Sequence, residues 1–480
     1  MRRERADVRL DVTPGGPEES RAPGAEAIGE AGRAIAIVGD LSGRDHRPLD
    51  PDDVPLATRG PIPLDRDTLD AALAALAPRA VVDLGVAGAE PFELRFRSLD
   101  DFHPDRLLDR VPLLAALDER APAPPAERVP ADASVPSPAG LLDRILDATP
   151  DTRAVPGGSG DDLAAFVARI VARHVVPEPG AEERAAGERR NELRTRVMRA
   201  VLRTEGVRRL EAVWRALDVL VRRVETGAAL RLYAFDVSRR DLTADLEASP
   251  PIEESPLARA AARATTELPR GMRWGAFVGL YGFRPEGTDL ALLRRLAAVG
   301  RRVGAGWLAG AEPWGGRWPD PAEAGEWEWA AGPGWSRARR EPDAGWIGLA
   351  LPGFLLRPPY GAETEPCDRF PFEELADARD SGAYLWGHPA VACAAAILGG
   401  DPRPGPMELD GLPVHVVRDA SGSVLQGCVE AAFTEDQAAR LLDAGLIPLV
   451  SPRGTDRLEV RALRAIGEPP GTLPGWGRPA

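Results

Sequence analysis

A chain of 480 residues is long for one hydrophobic core, and two or three domains are the default expectation. Its 74 acidic residues outnumber 60 basic ones, giving a formal charge of −14, which argues against a nucleic-acid binder that must displace counterions with a basic stripe. Every basic residue is Arg, so the chain has no Lys for a Walker P-loop, a kinase, a Schiff base or a Ser-x-x-Lys hydrolase, and ATP hydrolysis is not expected. Cys367, Cys393 and Cys428 are far apart and form no CxxC, which fits a reduced, cytoplasmic protein. The N-terminal stretch lacks the apolar run of a signal peptide, and no segment approaches the roughly 18 apolar residues of a membrane span.

Residues 1–32 are charged, rich in Gly and Pro and aperiodic, the pattern of a disordered segment. "AIAIVGD" (34–40) reads as a buried strand. "DRDTLDAALAALAP" (65–78) reads as a helix with Leu69, Leu73 and Leu76 on one face. Strands follow at 80–86 and 92–98. A helix is then expected from about Pro104, carrying Leu107, Leu108, Val111, Leu114 and Leu117, so that 33–120 forms a small α/β unit. Residues 121–140 are a Pro/Ala linker, extended and semi-rigid. Amphipathic helices and a flexible joint are expected over 141–189.

The larger domain spans 190–466. In "VRRLEAVWRALDVLVRRVE" the apolar residues from Val207 to Val224 fall on one helical face, with Arg and acids opposite. "LRLYAFDV" (230–237), "WGAFVGLY" (274–281), a helix stopped near Gly304 and "GWLAGA" suggest parallel βαβ crossovers. Thr434 and Gln437 have capping-box spacing before "AARLLDAG". "LIPLV" (446–450) and the alternating "DRLEVRA" (456–462) complete the domain, and 467–480 reads as a flexible tail. The fold class is α/β with mixed sheets.

Candidate chemistry is sparse. "RFRSLDDFHPDRLLDRV" (95–111) packs Asp100, Asp101, His103 and Asp105 together. A metal-dependent hydrolase would need Asp101, His103 and Asp105 to converge with a further partner. A capped helix start, with Pro104 at the first helical position and Asp105 in the first turn, accounts for the same residues unaided. "VGDLSGRDHR" (38–47) has two glycines after a strand but lacks a third, and reads as a tight turn rather than a phosphate loop. His46, His174, His388 and His415 lie at no metalloprotease spacing, and His415 is expected to face outward from a strand. Seven of the eleven Trp fall between 307 and 346, interleaved with Gly and Pro as in a self-packed loop. No catalytic, cofactor or metal residue is assigned.

"AIAIVGDLSGR", "PIPLDRDTLDAALAALAPR" and "ELRFRSLDDFHPDRLLDRVPLLAALDE" together resemble the small subunit of the bacterial type VI secretion contractile sheath. "VMRAVLRTEGVRRLEAVWRALDVLVRRVE", "LRLYAFDVS", "WGAFVGLYGF", "WIGLALPGFLLRPPYG", "YLWGHPAVACA" and "LPVHVVRDASGSVLQGCVEAAFTEDQAARLLDAGLIPLVS" resemble the large subunit. The blocks run in order over roughly 33–120 and 190–466, so the chain looks like a fusion of the two. Pro352–Gly353 stands where the family has Pro-Arg, and Pro358 where it has Leu.

The resemblance implies a structural protomer, not an enzyme, that polymerises with itself and a possible separate sheath subunit around an inner tube of hexamers. It further implies contraction from a baseplate, without direct membrane insertion, and recycling by an AAA+ unfoldase. "LLDRILDATP", with Leu141, Leu142, Ile145 and Leu146 on one face, sits where the family's unfoldase-contact helix lies, and packing on its own domain stays equally open. The candidate strand-exchange residues are Ile35, Ile37 and Val38 of the first strand and Leu458 and Val460 near the end. A sheath-like adaptor that does not polymerise is the alternative.

Overall fold

The computed structural model describes residues 32–51, 53–85, 90–119, 181–248, 251–313, 318, 329, 332–400, 407–417, 422 and 427–476. Strand β1 (Gly32–Gly39) is followed by β2 (Ile62–Leu64), helix α1 (Leu69–Leu76), strands β3 (Arg79–Val82) and β4 (Phe92–Arg95), and helices α2 (Pro104–Leu107) and α3 (Pro112–Glu119). Further along come α4 (Ala181–Arg203), α5 (Glu205–Arg223), β5 (Leu230–Asp236), α6 (Arg239–Ala248), α7 (Pro256–Glu267), β6 (Met272–Phe283), α8 (Gly287–Val303) and β7 (Gly306–Ala311). Next are α9 (Pro333–Arg339), β8 (Ile347–Leu351), β9 (Phe354–Leu355), β10 (Trp386–Gly387), α10 (Pro389–Leu398) and β11 (Met407–Leu409). Helix α11 (Glu435–Asp443) and strands β12 (Ile447–Val450) and β13 (Leu458–Val460) follow.

Nine strands form one sheet in the order β11-β13-β12-β8-β7-β6-β1-β5-β2. The run from β12 to β5 is parallel, whereas β2, β13 and β11 join antiparallel at the flanks. Parallel strands covered by helices on both faces must be apolar on both, and β1 follows that rule. Ile35 and Ile37 enter the layer built by α1, α5 and α10. Ala34, Ala36 and Val38 enter the opposite layer with α6, α7 and α8. Full burial of each Ile contributes roughly 1.5–3 kcal/mol.

The apolar stripe of α5 buries Val207, Leu210, Trp214, Leu217, Leu220 and Val221, and the Trp214 indole N–H donates to the Leu41 carbonyl at 3.1 Å. Helix α10 is buried from Pro389 through Ile397. It is apolar all round, as a helix inside a core must be. A third core joins Val82, Leu94, Phe96, Phe102, Leu107 and Leu114 of the early segment to Val201 of α4, Leu210 of α5, and Tyr360, Phe370 and Phe372.

Residues 33–120 are therefore no separate unit. Strand β1 pairs on both sides with strands of the larger domain, and the β3–β4 hairpin shares a core with α4 and α5. The single helix expected from Pro104 is two, because the missing N–H of Pro112 suits a helix start and not an interior. Helix α4 already begins at Ala181, inside the stretch read as a flexible joint. The expected flexible tail is packed as far as Trp476: Leu473 and Trp476 are buried, and the Trp476 indole donates to the Gly306 carbonyl at 3.2 Å. At Gly475, φ is 81° and a Cβ would lie 1.6 Å from the Gly275 carbonyl oxygen, so only glycine fits. Residues 412–417 form no strand, and His415 is half-buried, its Nδ1 lying 2.8 Å from the Tyr384 hydroxyl.

Candidate functional site

Ile35, Ile37 and Val38 are buried in β1, in the interior of the sheet. Leu458 and Val460 are buried in β13, which is paired to β12 on one side and β11 on the other. Neither strand is an edge. Among the described residues the edges of this sheet are β11 and β2, and β2 carries Pro63, which cannot donate to a further strand. Leu141, Leu142, Ile145 and Leu146 lie outside the described residues.

The turn after β1 explains why that strand is held so firmly. The Asp236 carboxylate at the end of β5 accepts from the Leu41 and Ser42 amides at 2.9 and 3.2 Å and from the Ser42 hydroxyl at 2.7 Å. Asp40 accepts from the Arg44 and Asp45 amides, both at 2.8 Å, and Asp45 in turn accepts from the Arg239 and Arg240 amides that open α6. Amides that a phosphate would need are thus taken by carboxylates, and the tight-turn reading of this glycine pair fits the geometry. Gly43 has φ 82°, and a Cβ there would lie 2.2 Å from the Arg79 carbonyl oxygen.

The DDFHPD stretch is a double helix start. The Asp101 carboxylate accepts from the Arg97 and Ser98 amides at 2.6 and 3.2 Å, and Ser98 completes the capping box of the turn over Leu99–Phe102. The His103 ring caps α2 by accepting from the Asp105 amide at 3.2 Å, with Pro104 at the first helical position. Asp105 reaches across the chain, accepting from the Asp368 and Arg369 amides at 2.9 and 3.2 Å, while the Arg369 guanidinium forks onto Asp109 at 2.6 and 2.8 Å. Asp101 is committed to backbone capping. The donor set brought together is His103, Asp105 and Cys367, with one ligand atom of each within 4.8 Å of the others. Cys367 was invisible to sequence reasoning because it lies more than 260 positions along the chain from its neighbours. Burial and the Asp105 charge push its thiol up to about 12.

Beneath this corner lies a buried ionic network. Arg357, 4% exposed, donates from Nε to Glu211 at 2.8 Å and from Nη1 to Glu374 at 2.7 Å; these carboxylates are 2% and 9% exposed. Burial alone would raise the Glu211 carboxyl, but Arg357 and Arg215 outweigh it and hold the group below the usual carboxylate range. The Arg357 guanidinium also lies 3.8 Å from the centre of the Tyr360 ring, which in turn makes a T-shaped contact with the His103 ring at 4.9 Å. The tryptophan-rich segment is partly core: Trp307 stacks on Phe277 at 4.5 Å, and the Trp335 indole donates to the Ala444 carbonyl.

Comparison with known families matches residues 191–315 and 326–466 to VipB, described as the EvpB-type tail sheath N-terminal domain. Residues 2–121 match VipA of the type VI secretion system. Type VI secretion system sheath protein TssC1 of Pseudomonas aeruginosa is 28% identical over 288 residues, covering 54% of this chain and 56% of that protein. The chain thus spans little more than half the length of this relative. Among the described residues, no helix is long and apolar enough to cross a membrane.

Proposed function

Because the chain belongs to the VipB tail sheath family and carries a VipA-like region ahead of it, we propose that it is a structural protomer of a type VI secretion contractile sheath. The observation that carries this reading is the position of β1. A strand from the VipA-like region fills the gap between β5 and β6 of the VipB-like region, so the two regions act as one mechanical unit.

In this reading protomers interlock by strand exchange, with Ile35, Ile37 and Val38 or Leu458 and Val460 as the buried side chains of the exchanged strands. A second copy offers β1 the same slot, so an exchanged strand keeps every pairing it has here. An incoming strand can also add at β11, the sheet edge that carries no proline. The polymer surrounds an inner tube of hexamers and rests on a baseplate in the cytoplasm, and a lower free energy of the contracted packing drives contraction without ATP bound to this chain. The segment holding Leu141, Leu142, Ile145 and Leu146 serves as a groove-binding helix for an AAA+ unfoldase.

Sedimentation velocity of the purified chain tests the reading. A fast, concentration-dependent polymer boundary is expected. A discrete small particle at every concentration, unchanged when the tube protein is added, would favour a non-polymerising adaptor.

A further inference from the structure

The corner where α2 meets the 360–374 loop holds three different ligand types that neither capping nor sheath assembly requires together. His103 Nδ1 and Asp105 Oδ2 are 3.6 Å apart, and the Cys367 thiol completes a set within 4.8 Å. Zinc bonds of about 2.0–2.3 Å at tetrahedral angles place donor atoms roughly 3.3–3.8 Å apart, so His103 and Asp105 already have the required separation and the thiol needs about 1 Å of side-chain movement. The imidazole is steadied by its edge contact with Tyr360, and the Asp105 carboxylate by the Asp368 and Arg369 amides. The Nδ1 lone pair now accepts a 3.2 Å hydrogen bond from the Asp105 amide, which a bound cation would replace.

On binding, the cation displaces the thiol proton to solvent as the sulfur–metal bond forms. Access is available, since Cys367 also lines an open cleft of about 290 Å³ together with Thr195, Arg199 and Phe372.

We propose that His103, Asp105 and Cys367 form a site for a thiophilic divalent cation of the zinc class, with the fourth position left to water. One nitrogen, one carboxylate oxygen and one thiolate select zinc or cobalt over magnesium or calcium. The site clamps the VipA-like region, which supplies His103 and Asp105, to the VipB-like region, which supplies Cys367. Because the cation binds the folded chain, it raises stability by mass action. This inference is independent of whether the protein polymerises.

The test is titration of the metal-free full-length protein with cobalt(II), read by absorption. One equivalent is expected to produce tetrahedral ligand-field bands and a thiolate-to-cobalt charge-transfer band, and excess zinc to bleach both. Cys367→Ser is expected to abolish the charge-transfer band while leaving the metal-free unfolding midpoint unchanged, and Asp101→Asn to retain the spectrum. His103→Ala is expected to lose the ligand-field bands; should that variant not fold, Cys367→Ser alone decides. No charge-transfer band in the parent protein, or one that survives in Cys367→Ser, would overturn the proposal.

Discussion

Arg357 joins three backbone segments through two carboxylates and a ring, all within the protein interior. Removing one partner of a buried ionic set leaves a desolvated charge uncompensated, which costs about 3–5 kcal/mol. Arg357→Met is therefore expected to lower the free energy of unfolding by that amount in a guanidinium titration, whereas a loss below 1 kcal/mol would mean that water reaches Glu374. Glu430 gives a second residue-scale outcome. Part of the residue reaches solvent, yet burial of its carboxyl pushes it up to about 7 from 4.5, against the Gly353 amide and the Arg208 charge. A raised carboxyl pKa favours the protonated folded form, so this contribution is complete below about pH 4.5 and is lost as pH rises to about 7. Glu430→Gln stays neutral throughout. It should flatten the decline in denaturation midpoint between pH 5 and 8, and an unchanged slope would assign the decline to other groups, Asp40 among them.

At the scale of elements, β1 decides the architecture. Ile37 is buried between two parallel partners, and Ile37→Ala is expected to cost about 2–5 kcal/mol, as core truncations do. A solvent-level cost near zero in the same denaturant assay would show that the strand is not held at the sheet centre. Much of this was legible beforehand. The apolar run at 34–38, closed by Gly39 and Asp40, the α5 stripe and the Thr434–Gln437 box each announce their element through spacing alone, and the box is formed with both reciprocal bonds. Helix α10 was not legible, because "PAVACAAAIL" is apolar on every face and carries no period. Its visible signal was the His388 cap followed by Pro389. Nor could spacing show which strands lie beside β1, since parallel neighbours are chosen by long-range packing.

At the scale of the whole molecule, the VipA-like and VipB-like regions share one sheet and one core even though their sequences are separated by residues 122–190. Dividing the gene within that stretch tests how far they depend on each other. Co-expressed fragments 1–140 and 141–480 are expected to copurify in equal amounts, and 141–480 alone to be insoluble, since its sheet would lack the strand between β5 and β6. A soluble, monodisperse C-terminal fragment would show that the sheet closes without β1. The same coupling gives the sheath reading its mechanical sense, because a displacement of either region is carried through a continuous ladder of parallel strands.

The most direct test of that reading is negative-stain electron microscopy of the full chain, alone and co-expressed with a hexameric tube protein. Hollow tubes with cog-wheel ends, formed by this single polypeptide around the tube, are the expected result. Dispersed single particles in both preparations would contradict the claim that one chain suffices as a sheath protomer.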